Sequence, residues 1–190
     1  MDLDDLPETV DFNGPIGAPF SRRPMVRYAF GDAKAAVRVT LAAEDPADAS
    51  GGPSSGERIP QFVARLDKTF AWGAVNLRAM THEKRSPTET KRGYGVGIGG
   101  SYKLGDKDLL MGQYTRVDGD VDALYGANGY AIDPTTGVIT FDHNQGVVLG
   151  YAHVLMAPSR HSLEYVRQRT DATRRMRHDR LFEWLQRQTI

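Results

Sequence analysis

Apolar residues recur at every second position from Arg23 to about Arg169, in runs separated by clusters of Gly, Pro, Asp and Ser. A period of two is the signature of strands with two unlike faces, whereas a helix repeats at 3.6, so the chain reads as all-β. The run MVRYAF sets Val26, Tyr28 and Phe30 against Met25, Arg27 and Ala29. A tight turn, Gly31-Asp32-Ala33-Lys34, leads to AAVRVTLA, which sets Val37, Val39 and Leu41 against Arg38 and Thr40. The same alternation continues as Phe62, Ala64, Leu66 against Val63, Arg65, Asp67, and then as Val75, Leu77, Ala79 against Asn76, Arg78, Met80.

The connections alternate in length. Short turns fall at 31–34, 70–73, 105–107 and 157–160, and polar stretches join the other ends at 44–58, 83–91 and 118–145. About eight strands of roughly 8 to 12 residues result, the length of membrane-spanning strands, which have short periplasmic turns at one rim and longer loops at the other. The faces of LLMGQYTRV, GVVLGYAHVLM and SLEYVRQRT stay undetermined, because neither alternate set is uniformly apolar. The tail TRRMRHDRLFEWLQRQ places His178, Leu181, Phe182 and Leu185 at helical spacing, which predicts either a short amphipathic helix or an unordered terminus.

Composition narrows the function. The 24 basic and 24 acidic residues balance, so no whole-chain field draws nucleic acid, and the absence of cysteine removes thiolate metal sites and cysteine nucleophiles. Gly95, Gly97 and Gly100 fit GxGxxG, but that fingerprint needs a helix after the turn, and SYKLGDKD carries no helical periodicity. Glycines at alternate positions instead remove side chains from one strand face and open space there. Asp118, Asp120 and Asp122 begin like a calcium loop, yet Ala123 stands where Gly is required and Gly129 where a bidentate Glu belongs. Ser101 lacks a nucleophile elbow, and the histidines at 82, 143, 153, 161 and 178 lack ligand spacing, so no enzyme, metal or cofactor is expected.

Period two does not say which face is wet. A soluble barrel buries its apolar face and could enclose a small apolar ligand, while an outer-membrane barrel turns that face to lipid around a polar lumen. Mid-strand Arg27, Arg38, Arg65 and Arg78 suit a water-filled channel, and Phe30, Phe70, Trp72 and Tyr102 beside the short turns suit an aromatic girdle. On a soluble sandwich the same arginines would be outer surface.

The segment LPETVDFNGPIGAPFSRRPMVRYAF, with RIPQFVARLDK, GYGVGIGGSYKLGDKD and GVVLGYAHVLM, resembles the DcaP-like trimeric outer-membrane porins of Gram-negative bacteria up to about Arg169. The resemblance implies an antiparallel up-and-down transmembrane β-barrel of sixteen strands, a homotrimer in outer-membrane lipid, and passive diffusion of small anionic solutes such as dicarboxylates. It makes Arg23, Arg27, Arg38, Arg65 and Arg78 the pore-lining, anion-attracting candidates, with Lys103 a weaker one near a turn. Residues 1–170 are then part of a porin barrel and 171–190 a basic tail outside the family pattern. Such porins are longer and begin with an export signal, while Met1 here precedes the acidic, Pro-broken DLDDLPETVDF, so a fragment is expected. Eight strands alone would either close as a filled narrow barrel or leave two open edges.

Overall fold

The computed structural model describes residues 23–31, 35–47, 56–120, 123–124, 129–156, 159–171 and 178–182. Its strands are β1 (Met25–Phe30), β2 (Val37–Glu44), β3 (Gln61–Phe70), β4 (Gly73–Arg85), β5 (Thr90–Lys103), β6 (Asp108–Asp118), β7 (Tyr130–Ile132), β8 (Ile139–Phe141), β9 (His143–Met156), β10 (Ser159–Asp171) and β11 (His178–Phe182). Nine of them form one antiparallel sheet in the order β1-β2-β3-β4-β5-β6-β9-β10-β11, and β7 and β8 form a separate hairpin inside the connection from β6 to β9. Each strand of the large sheet lies beside its neighbour in chain order, as an up-and-down barrel wall requires. β1 and β11 each have a partner on one side only among the described residues.

The two faces of this sheet answer the question that alternation leaves open. Val26, Tyr28, Val37, Leu41, Phe62, Leu66, Leu77, Tyr94, Val96, Ile98, Leu110 and Leu149 are all exposed and share one face. The opposite face carries buried Gln61, Asn76, Arg78, His82, Lys84, Gln113, Thr115 and Asn144. The protein is therefore inside out by the standard of a water-soluble fold, which hides its apolar face. A soluble barrel enclosing an apolar ligand needs the reverse arrangement, and that alternative is set aside.

On β4 the apolar band runs from Gly73 to Thr81, nine residues, within the ~9–11 that a tilted strand needs to cross a bilayer. Aromatic rings close it at the short-turn rim. Phe70 stacks on Trp72 at 4.7 Å and Trp72 lies 5.5 Å from Tyr102, with Trp72, Tyr102 and Phe30 exposed. Gly73 lets these turns draw together, because a Cβ there would overlap the Ser101 carbonyl across the hairpin.

Two expectations are corrected. The connection at 83–91 shrinks to a four-residue turn at 86–89, because β4 and β5 continue pairing as far as Arg85 and Thr90, beyond the apolar band. Its polar composition marks where the strands leave the bilayer, and paired strands need not end there. In the tail, 178–182 form strand β11 against β10, from Val166↔Phe182 to Thr170↔His178, where a helix was one of two expectations. An open β10 edge offers backbone partners to any segment beside it, which outweighs a weak helical pattern.

Candidate pore-lining face

The inward face is laid out in rows by the register. In one row Arg65 stands directly opposite Arg78, followed by Gly97 and Thr115. Opposed like charges on neighbouring strands repel, so each guanidinium needs a partner. Arg65 donates through Nε to Asp67 Oδ1 at 2.7 Å, and Arg78 donates through Nη2 to Gln113 Oε1 at 3.0 Å. In the next row Arg38 faces Asp67, and on the other side Arg27 faces Ala42. Arg27 and Arg38 are exposed on this face, and Arg78 is 3% exposed.

Glycines of β5 clear the ground for inward side chains of β4, Met80 and His82. At Gly95 a Cβ would lie 2.5 Å from Met80 Cγ, and at Gly93 it would overlap the His82 ring and the Asp118 carbonyl. The alternate glycines of β5 thus admit side chains from β4, and no nucleotide-binding turn exists, since β5 is followed by strand β6.

The connection from β6 to β9 folds over the same face. Ala123 and Leu124 are buried, and Ala123 packs with Val63, Met80 and Val117. Asp120 is fully buried, and Arg23 Nη2 reaches both of its carboxylate oxygens at 3.1 Å. Arg23 Nη1 donates to Gln61 Oε1 at 2.9 Å, and Gln61 donates in turn to Glu44 at 3.1 Å. This chain of bonds ties the segment before β1 to β2, β3 and the inward connection.

Further along, the β7–β8 hairpin sits against the β4–β5 turn. Ser86 Oγ donates to Gly137 O at 2.6 Å, Lys91 Nζ to Ile139 O at 2.9 Å, and Ile139 N–H to Glu89 Oε2 at 2.6 Å. His82 lies just above the apolar band, 5.8 Å from the Phe141 ring and 2.8 Å from the Asp118 carbonyl. Burial holds its pKa below the usual histidine value, opposed by the charge of Asp120.

A family model described as DcaP outer membrane protein matches residues 1–181. The chain belongs to the DcaP outer membrane protein family. A solved relative is the outer membrane channel DcaP of Acinetobacter baumannii, with 27% identity and a TM-score of 0.77 over 88% of this chain. The chain spans 49% of that channel's length. No curated protein matches it. DcaP membership places the chain in the outer membrane, where the exposed apolar face fits lipid. The family match extends through residue 181.

Within this DcaP wall the five arginine candidates occupy different settings. Arg27, Arg38, Arg65 and Arg78 are brought together on β1 to β4, facing inward. Arg23 is 6% exposed and engaged with Asp120 and Gln61 just before β1. Lys103 is exposed beside the β5–β6 turn. Two aspartates of the calcium-like stretch have different partners, Asp118 accepting from His143 Nδ1 at 2.7 Å and Asp120 facing Arg23, and Asp122 lies outside the described residues. No acidic or histidine cluster able to hold a metal occurs among the described residues. Sequence reasoning passed over Gln61 and Lys84, and it weighed Asp120 only as part of a calcium-like loop and not as the partner of Arg23. The available signal was the apolar pair Ala123-Leu124 directly after the acidic run Asp118 to Asp122.

Proposed function

We propose that this chain forms part of the wall of a passive diffusion channel for small hydrophilic anions, with dicarboxylates among its cargo. The complete protein would be a trimer of sixteen-stranded barrels. The observation that carries the reading is the opposition of an exposed apolar face to an inward face bearing Arg27, Arg38, Arg65 and Arg78 in adjacent rows. Converging guanidinium groups in a narrow low-dielectric passage focus positive potential and raise the local concentration of anions. Asp67 offsets part of this charge at Arg65, and exposed Arg27 and Arg38 leave the lumen biased toward anions. The test is ion selectivity of the full-length protein in a planar bilayer, measured as reversal potential across a salt gradient. Anion preference is expected, and the pair Arg38→Gln and Arg78→Gln should reduce it. Cation preference, unchanged by those substitutions, overturns the reading.

A further inference from the structure

Two arginines of the inward face stand opposite each other, and each is turned aside by a different kind of partner. Arg65 and Arg78 are cross-strand neighbours, a placement in which like charges repel. Arg65 turns along its own strand to Asp67, with Nη2 2.7 Å from Oδ1, an ion pair that offsets its charge. Arg78 turns the other way, across β5. A Cβ at Gly97, directly opposite, would lie 3.4 Å from Arg78 Nε and 3.4 Å from Thr115 Oγ1. Beyond it Arg78 Nη2 donates to Gln113 Oε1 at 3.0 Å on β6, two strand spacings or ~10 Å from β4. The guanidinium therefore lies along the wall over Gly97, and both ends of the bridge are buried, Arg78 at 3% and Gln113 at 4% exposed.

The amide of Gln113 is satisfied on one side only. Its Oε1 accepts from Arg78, while its Nε2 is buried with no hydrogen-bond partner among the described residues. A buried donor without an acceptor is costly, and an apolar side chain in this position would avoid that cost, so packing alone gives no reason for glutamine here. We propose that Gln113 is a positioning residue, a neutral acceptor that keeps the Arg78 guanidinium along the wall and adds no countercharge. Asp67 holds Arg65 and offsets it, whereas Gln113 holds Arg78 with an uncharged oxygen. A long side chain standing off the wall would narrow the passage, and one lying along it contributes its potential at full width. Position 113 thus acts on selectivity and on width through Arg78, without touching the solute. The selectivity half of this inference rests on the anion-channel reading above; the width half does not.

The test uses the full-length protein in a planar bilayer. Reversal potential across a dilute salt gradient reads charge, and single-channel conductance in about 1 M salt reads width, because the screening length there is only ~3 Å. Gln113→Glu sets a carboxylate against Arg78, so anion preference should fall about as far as in Arg78→Gln, each change removing one positive unit from the wall. Gln113→Met keeps the length but offers the guanidinium no acceptor, so Arg78 should leave the wall for water and conductance should fall. In an Arg78→Gln background the same Met substitution should leave conductance unchanged, a coupling that a merely structural role would not produce. An unchanged reversal potential in Gln113→Glu overturns the inference. So does a Gln113→Met channel of unaltered conductance, or one that loses as much conductance without Arg78 as with it. If Gln113→Met fails to insert, Gln113→Glu decides alone. Cation preference of the unaltered protein sinks the anion-channel reading instead, and the coupling between positions 113 and 78 then still decides whether Gln113 positions Arg78.

Discussion

Replacing Asp120 with Asn tests whether the inward connection is held by its buried ion pair. Asp120 is fully buried and meets Arg23 Nη2 through both oxygens at 3.1 Å, while its Oδ1 also accepts the Ala123 N–H at 2.8 Å. Asn keeps the shape and one acceptor but removes the charge, leaving the Arg23 guanidinium buried against a neutral amide. Breaking a buried pair by neutralising one member costs ~3–5 kcal/mol, because the remaining charge stays desolvated without its counterion. An ion pair at a wet surface would cost ~0.2–1 kcal/mol. The connection is also pinned by Ser86, Lys91 and Glu89, so the loss should appear as local opening before global unfolding. Hydrogen exchange at the Ala123 and Leu124 amides in detergent-refolded protein is the assay. Protection should fall by roughly two to four orders of magnitude, with amides in the middle of β4 and β5 unchanged. The apolar pair Arg23→Met/Asp120→Leu should recover much of the loss, since neither charge then remains buried. A change under tenfold in Asp120→Asn, or a double variant worse than the single, refutes the argument.

Other outcomes follow from the same geometry. Gly93→Ala should prevent folding, since the new methyl meets the Asp118 backbone carbonyl, whereas Gly97→Ala, with its nearest neighbours at 3.4 Å, should be tolerated; the fraction of compact, heat-modifiable protein on a gel separates them. Leu77→Arg, in the middle of the lipid-facing band, should cost ~2–4 kcal/mol in lipid vesicles, while Thr40→Arg on the inward face costs far less; equal losses in urea titrations would contradict the assigned faces. His82 resists protonation in the folded state, so its stabilising contribution is full above ~6.5 and declines as pH falls below that value. Proteolysis of the hairpin at 129–142 should accelerate between pH 7.5 and 5, and His82→Gln should flatten that dependence.

Much of the wall was legible because its causes are local. Alternation in β1 to β5 depends on one side of each strand meeting hydrocarbon, so Val26, Val37, Leu66, Leu77 and Val96 announce their face one residue at a time. The girdle was readable for the same reason, since Trp72 and Tyr102 must sit where lipid gives way to water. The facing of β6 and β9 resisted reading because each contributes apolar residues to both sides. Val117 and Val148 are buried inward, Val117 against Met80, while Leu149 faces lipid and Arg116 stands above the band. Which apolar residue belongs to which side depends on a connection that returns over the inner face, and that return is invisible to a period-two pattern.

The amino-acid order by itself determined the all-β class, the place of the short turns and the separation of arginines from the apolar set. Each is set by neighbours one or two positions apart, or by a turn that only certain residues can make. Only the tertiary structure decided which face is wet, that Arg23 reaches Asp120 across 97 positions of chain, and that the β7–β8 hairpin rests on the β4–β5 turn. Alternation is symmetric under exchange of its two sides, and contacts between distant segments are fixed by the curvature of the whole sheet, so no local pattern encodes them.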